Sequence, residues 1–296
     1  PYTFFSPSET IINAGFKPVY ADIELNDYNI SVNSIKSKIN KNTVGILPVH
    51  IFGYPCDMPE IMKVAKQNNL FVIEDCAQAL GAKINDKFVG SFGDINAFSF
   101  YPTKNLGAYG DAGLVSTKKN KLYNYIQLLK NHGSKTPYIH PIVGENSRCD
   151  TFQAAVINEK LNMINSSNLK RNILAKKYFH ELKDIQEIKL PVYKKNYLSI
   201  YHQFTILVKN RARLIKFLKK KKIPYMIYYE KPLYKQGFFI GTKPKLKNVE
   251  YICKNCISLP IHPGLSINDV INVSKVLKSF YKIIKKKLIF FYPLLF

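Results

Sequence analysis

The sequence predicts an α/β protein: a large domain built on a mostly parallel sheet flanked by helices, then a smaller α+β C-terminal domain. Three observations carry this. Short β-rich runs alternate with amphipathic helical stretches through the first half, and such alternation builds parallel sheets covered by helices on both faces. The chain has 296 residues and is 46% hydrophobic, enough to bury a sizeable core in two lobes. Beyond residue 182 the pattern changes to strands and helices of a separate, smaller unit. The boundary falls near residue 165, giving domains 1–165 and 166–296, the second ending in a tail after about residue 283.

Each element has a local reason. Residues 18–22, 44–52, 70–75, 97–100 and 113–116 are strand candidates, rich in Val, Ile, Phe and Tyr. Residues 59–69 read as a helix because Ile61, Val64 and Ala65 share a face. Residues 118–131 do so because Leu122, Ile126 and Leu129 align. A long helical pattern runs over 151–182, broken near 165–168. In the second lobe, 201–208 and 225–229 read as strands, and 211–222, 249–258 and 267–278 as helices. There is no internal repeat.

Composition narrows the function. The formal charge is +24, which raises a nucleic-acid reading. Arginine stands only at 148, 171, 211 and 213, so the charge is almost all lysine, spread along the chain. Base readout and bidentate phosphate contacts favour arginine, and no nucleic-acid motif is present. The lysines read as a solvated surface that attracts anionic small molecules. The apolar run near 288–296 is too short to span a bilayer and contains Pro293. No signal segment is recognisable, so the expectation is a cytoplasmic protein with neither nucleic-acid nor membrane partner. Cysteines stand at 56, 76, 149, 253 and 256. Cys253 and Cys256 have CxxC spacing, but no second pair completes a zinc site. They read as structural, and no metal is expected.

The chemistry-bearing residues lie between 74 and 113. Glu74 and Asp75 end the run FVIED, and Gln78 follows. A carboxylate at a strand's carboxyl end sits where α/β proteins bind ligands. It could serve a metal, a ribose hydroxyl or a protonated heterocycle nitrogen. Ser99 and Lys104 bracket SFYPTK, ahead of glycines at 107, 110 and 113. These glycines do not form a dinucleotide fingerprint, and no phosphate-binding loop precedes the lysine. What remains is a lysine beside a hydroxyl and an acid, with Phe98, Phe100 and Leu106 to desolvate its amine. That arrangement suits capture of a carbonyl.

The string FVIEDCAQALGAKINDKFVGSFGDINAFSFYPTKNLGAYGDAGLVST resembles the DegT/DnrJ/EryC1/StrS family of pyridoxal-phosphate-dependent nucleotide-sugar aminotransferases. The resemblance continues through KNHG at 130–133, ENSRCDTFQAA at 145–155, YHQFTI at 201–206, PLYKQGFF at 232–239 and SLPIHPGLS at 258–266. It implies a fold type I aminotransferase with pyridoxal 5'-phosphate as cofactor. It implies that Lys104 holds the cofactor's aldehyde covalently and later relays a proton, while Asp75 pairs with the pyridine nitrogen. Gln78 would meet the ring's 3-hydroxyl side, Ser99 a phosphate oxygen, and Phe4 the ring face. Asn146, with the cofactor, and Arg148, with the substrate, would reach the neighbouring subunit's site, so a homodimer with shared active sites is implied. Tyr228 and Tyr229 would lie near the sugar. His132 is expected to be structural.

The implied reaction moves an amino group from an amino acid, with glutamate the expected donor, to a keto-sugar on UDP or dTDP. Its product would serve amino-sugar, surface-polysaccharide or lipopolysaccharide synthesis. The GAYGDAG turn resembles members acting on 3-keto sugars more than those acting on 4-keto sugars. Dehydratases of the family carry histidine where Lys104 stands, which argues against that activity. Tyr234 replaces a frequent histidine, Glu230 replaces a frequent proline, and the end of the tail matches no family element. Relatives carry a segment before PYTFFS, with a Gly-Thr at a helix start that holds the cofactor phosphate. The chain opens at Pro1 without it, so this chain alone is expected to bind the cofactor poorly. The alternative is an inactive truncated remnant or binding protein of the same family.

Overall fold

The computed structural model describes the backbone of residues 1–291 and the side chains of residues 1–284. It divides into two compact units: residues 1–34, 167–195 and 201–296 form one, and residues 35–166 and 196–200 the other. A division at residue 165 differs from this in residues 1–34, which group with the later part of the chain, and in residues 196–200, which group with the earlier part.

The unit of residues 35–166 carries the sheet expected from the first half. Its order is Gly45–Ile46, Phe71–Asp75, Ile95–Ser99, Gly113–Ser116. The first three strands are parallel and the last is antiparallel. The expected strand over 44–52 is only two residues long. Val49 adds a single bridge to Asp75, and Ile51–Gly53 turns as a 3₁₀ segment through the left-handed Phe52. The helix Met58–Gln67 buries Ile61, Val64 and Ala65 as their spacing predicts. It stops where Asn69 takes a left-handed φ of 53°, a conformation asparagine tolerates. The helix Asn120–Leu129 buries none of its residues, although Leu122, Ile126 and Leu129 align. A second small sheet, Lys87–Phe88, Lys83–Ile84 and Tyr197–Leu198, was not predicted. The long helical stretch is two helices, Thr151–Leu161 and Ile164–Leu182. The break comes at Asn162, earlier than expected, and Asn165–Asn168 lie inside the second helix, with Asn168 buried.

The other unit is built on an antiparallel sheet, Cys256–Leu259, Phe204–Val208 and Ile188–Lys189. Every residue of Phe204–Val208 is buried. Its core joins Leu174, Tyr178, Phe204, Leu214, Ile257 and Leu277, with Tyr178 stacked on Phe204 at 4.7 Å between ring centroids. Residues 18–22 form no strand. Residues 225–229 form none either, contributing only a bridge from Met226 to Ser258. The helix expected over 249–258 ends at Asn255, and Cys256 opens a strand. Arg211 Nη1 donates to the carbonyls of Cys253 (2.6 Å) and Cys256 (3.1 Å), tying off that junction. Burial pushes the Cys253 thiol up to about 12, far from a reactive thiolate. The last helix, Ile267–Phe291, runs beyond residue 278. The end of the expected tail, residues 292–296, lies outside the described residues.

Asp22 explains why the first residues join this unit. Its Oδ1 accepts the Val249 N–H at 3.0 Å and its Oδ2 the Asn248 N–H at 3.2 Å. The local cap, Leu246, offers no side-chain hydrogen bond. A residue more than two hundred positions away therefore caps the helix Lys247–Asn255. Asp22→Ala is expected to cost about 1 kcal/mol, the usual price of a lost N-cap, read as a lower urea midpoint with unchanged slope.

Candidate active site

Strand alternation puts Glu74 and Asp75 on opposite faces of Phe71–Asp75. The backbone of Asp75 is held on both sides: its N–H donates to the Pro48 carbonyl at 2.9 Å, and its carbonyl accepts the His50 N–H at 3.1 Å. Its side-chain Oδ1 accepts the Ala77 N–H at 2.9 Å. Burial pushes the Asp75 carboxyl up, and the Ala77 amide, His50 and Lys104 pull it partly back. Gln78 is buried, and its Oε1 accepts the Phe52 N–H at 2.7 Å. That amide is aimed inward by the left-handed turn at Phe52.

Ser99 ends the strand Ile95–Ser99, and its Oγ accepts the Tyr101 N–H at 3.3 Å. Lys104 is half-buried in the following turn, its N–H donating to the Tyr101 carbonyl at 2.8 Å. Burial lowers its pKa, and Asp75 opposes that shift. Asp75 and Lys104, both singled out from the sequence, thus interact electrostatically. Phe100, Leu106 and Ala108 pack as one apolar cluster with Phe98 beside them.

The glycine loop is fixed from outside. A Cβ on Gly107 would lie 2.4 Å from the Pro102 carbonyl oxygen, so only glycine lets the turn close. Lys160 Nζ donates to the Gly107 carbonyl at 2.8 Å and stands 4.2 Å from the Tyr109 ring centroid. Gln153 Oε1 accepts the Tyr109 N–H at 2.9 Å, and Asn105 Nδ2 donates to the Ile200 carbonyl. None of these supports was read from the sequence, because their partners are distant in it. Asn105 and Gln153 do fall within the strings PTKNL and DTFQAA that carried the resemblance.

Asn146 and Arg148 are exposed. Asn146 bridges to Asn131, and Arg148 Nη1 donates to Asn131 Oδ1 at 2.8 Å. The His132 carbonyl meets His140 Nδ1 at 2.9 Å, a local contact. Phe4, Tyr228 and Tyr229, also singled out from the sequence, belong to the other unit. Phe4 is 62% exposed, which excludes a core role. With Phe5, Tyr229, Glu230, Lys231 and Phe238 it lines a cavity of about 660 Å³. Tyr228 accepts the Tyr2 hydroxyl at its carbonyl, and Tyr229 packs edge-on against Tyr2 at 5.9 Å. Tyr234 is buried, its hydroxyl 3.3 Å from Glu250.

Behind Asp75 lies a feature the sequence showed only in part. Glu74 is fully buried. Its Oε2 meets His50 Nε2 at 3.0 Å and the Gly90 N–H at 2.9 Å, and its Oε1 accepts the Phe92 and Gly93 N–H groups, both at 2.6 Å. His50, Glu74 and Cys76 bring three metal-ligand atoms within 4.8 Å of one another. Both His50 nitrogens and both Glu74 oxygens are already engaged by protein groups, so the cluster acts as a hydrogen-bond hub.

Known proteins resemble this chain over most of its length. The profile of the DegT/DnrJ/EryC1/StrS aminotransferase family matches residues 1–278. The chain is similar to the pleiotropic regulatory protein of Geobacillus stearothermophilus, 37% identical over 95% of this chain and 77% of that one. It is similar to the UDP-N-acetyl-3-dehydro-α-D-glucosamine 3-aminotransferase of Acidithiobacillus ferrooxidans, 36% identical over 94% of this chain and 75% of that one. Among solved structures, it matches DesV of S. venezuelae in complex with a ketimine intermediate, with a TM-score of 0.91 and 31% identity. That match covers 95% of this chain and 76% of the other. Among the described residues no helix is long and apolar enough to cross a membrane. The chain therefore belongs to the DegT/DnrJ/EryC1/StrS aminotransferase family, pyridoxal-phosphate-dependent enzymes of the type I aminotransferase fold.

Proposed function

We propose that this enzyme moves an amino group from glutamate to carbon 3 of a keto-sugar linked to UDP or dTDP, in the cytoplasm, supplying amino sugars for surface polysaccharide or lipopolysaccharide. The observation that carries the reading is that Asp75 closes the strand Phe71–Asp75 while Lys104 lies in the turn after the adjoining parallel strand Ile95–Ser99, each charge opposing the other's burial shift. The relative that acts on a 3-dehydro sugar supports the choice of carbon 3. The positive surface favours a substrate carrying a diphosphate.

The residues fit the cofactor. Asp75 offers a half-buried carboxylate anchored through one oxygen by the Ala77 amide. Lys104 offers an amine whose charged form burial disfavours. Bound pyridoxal phosphate supplies an electron sink for charge developing on the substrate carbon. Asp75 would pair with the pyridine nitrogen and keep it protonated. Gln78, fixed by the Phe52 amide, would meet the ring's 3-hydroxyl side, and Ser99 would hold a phosphate oxygen. Lys104 would hold the aldehyde, its Nζ being the group to carry a proton. By the family resemblance, Phe4 would serve the ring face, and Tyr228 and Tyr229 would lie near the sugar.

Asn146 and Arg148 complete the partner's site in a homodimer. The helices Asn120–Leu129 and Thr151–Leu161 bury none of their residues, while Tyr138 and Val143 are 96% and 94% exposed. That apolar surface supports a second copy docking there. Sedimentation of the protein is expected to give a dimer, and Val143→Asp with Tyr138→Asp a larger monomer fraction. A monomeric wild type would overturn the shared site. The substrate reading is tested with a panel of UDP- and dTDP-linked 3-keto and 4-keto sugars and glutamate as donor. A 3-amino product is expected, and turnover of 4-keto sugars alone would refute the carbon assignment.

A further inference from the structure

We infer that His50 and Glu74 are positioning residues for the cofactor site, acting through the backbone of residues 48–56 on both Asp75 and Gln78. This deepens the reading above and rests on it.

The hydrogen bonds form a bracket. The Cys56 N–H donates to His50 Nδ1 at 2.9 Å, so that nitrogen carries no proton. The other ring nitrogen, Nε2, therefore carries the hydrogen and donates to Glu74. With both nitrogens engaged and the ring wholly buried, the imidazole cannot turn. Its own backbone N–H meets the Asp75 carbonyl, and Pro48 two residues earlier accepts the Asp75 N–H. Two residues later, the Phe52 N–H meets Gln78 Oε1. One immobilised ring thus sets the segment that grips Asp75 from behind and Gln78 from the side.

Glu74 anchors the other end. Three amides of residues 90–93 converge on it, and that turn is closely packed at its two glycines. A Cβ on Gly90 would lie 2.1 Å from the Phe98 ring, and one on Gly93 would lie 2.9 Å from the Val72 carbonyl oxygen. Phe98 immediately precedes Ser99 in its strand. A buried carboxylate with four donors is worth keeping only if it stays ionised and saturated. Removing its charge leaves its donors weakly paired and loosens both the 48–56 segment and the strand end.

The test compares Glu74→Gln, His50→Leu and the conservative His50→Gln with wild type. The readouts are pyridoxal-phosphate affinity of the apoprotein, the pH dependence of the bound cofactor's visible absorption, kcat and KM, and apoprotein melting. Expected are a ~10- to 10²-fold lower kcat, as for an ångström-scale misplacement, an unchanged keto-sugar KM, weaker cofactor binding and a moved pH profile. His50→Gln should recover most of the loss, since it keeps an N–H donor toward Glu74. Variants that melt lower yet keep wild-type kcat, affinity and pH profile would overturn the inference, leaving the pair purely structural. Should the variants not fold, the wild type decides. Adding pyridoxal phosphate to ¹⁵N-histidine apoprotein should shift the His50 ring resonances, and unmoved resonances refute the coupling. Failure of the underlying reading would show separately, as undiminished cofactor chemistry in Lys104→Ala.

Discussion

Lys104→Ala is expected to end covalent attachment of the cofactor and to lower transamination by ~10⁴-fold, the upper range for losing a positioned proton carrier. The argument is geometric first. Lys104 sits in a turn closed by Gly107 and tied down through Lys160, Gln153 and Asn105, so no neighbouring lysine slides into its place. Burial then lowers its pKa, with Asp75 limiting the fall, so more of the amine is uncharged and nucleophilic at neutral pH than for a surface lysine. Borohydride reduction followed by peptide mass spectrometry should place the reduced cofactor on residue 104 and on no other lysine. Lys104→Arg separates charge from nucleophilicity: it keeps the cation beside Asp75 but should be as inactive as alanine. A reduced adduct on another lysine, or an active arginine variant, would remove Lys104 from the centre of the mechanism.

How much of this was legible follows from the range of the interactions. Helix Met58–Gln67 and strand Phe71–Asp75 were readable because their signals are local: apolar spacing in one, a β-branched run in the other. The run 18–22 looked equally strand-like, yet no neighbouring strand pairs with it, since strand formation depends on a partner that sequence does not name. Residues 225–229 failed for the same reason, with one bridge where a ladder was expected. Cys256 was misplaced by a helical period that continued past Asn255, where Arg211 ties off the chain from another helix. At the site, the acid, the amide, the hydroxyl and the lysine could all be named, since each closes or follows a strand. The bracket behind them could not. His50 lies in a run that read as plain strand, and its meaning comes from Glu74, twenty-four residues away.

Asp75→Asn should move activity and stability in opposite directions. Asparagine keeps the shape and the oxygen that accepts the Ala77 amide, but it carries no negative charge to hold the pyridine nitrogen protonated. Activity should fall by roughly 10²- to 10³-fold, as when one preorganised electrostatic group is removed from an active site. The apoprotein, in contrast, should gain stability at neutral pH. Burial raises the Asp75 pKa, and the Ala77 amide, His50 and Lys104 only partly offset it. A carboxyl whose folded pKa lies above its unfolded one gives stability that is complete below the unfolded value and is lost as pH rises through the folded value. At pH 7 the wild-type apoprotein therefore bears the cost of an ionised, half-buried acid, and the neutral isostere does not. The melting advantage of Asp75→Asn should open as pH climbs out of the ordinary aspartate range and close in acid, where Asp75 is itself protonated. Melting curves of both apoproteins between pH 3 and pH 8, set beside single-turnover rates with glutamate, test the two halves together. A variant less stable at every pH would show that Asp75 serves the fold. A variant as active as wild type would show that it does not serve the cofactor. The expected pairing, more stable and nearly inactive, marks a charge kept in an unfavourable place because the reaction needs it there.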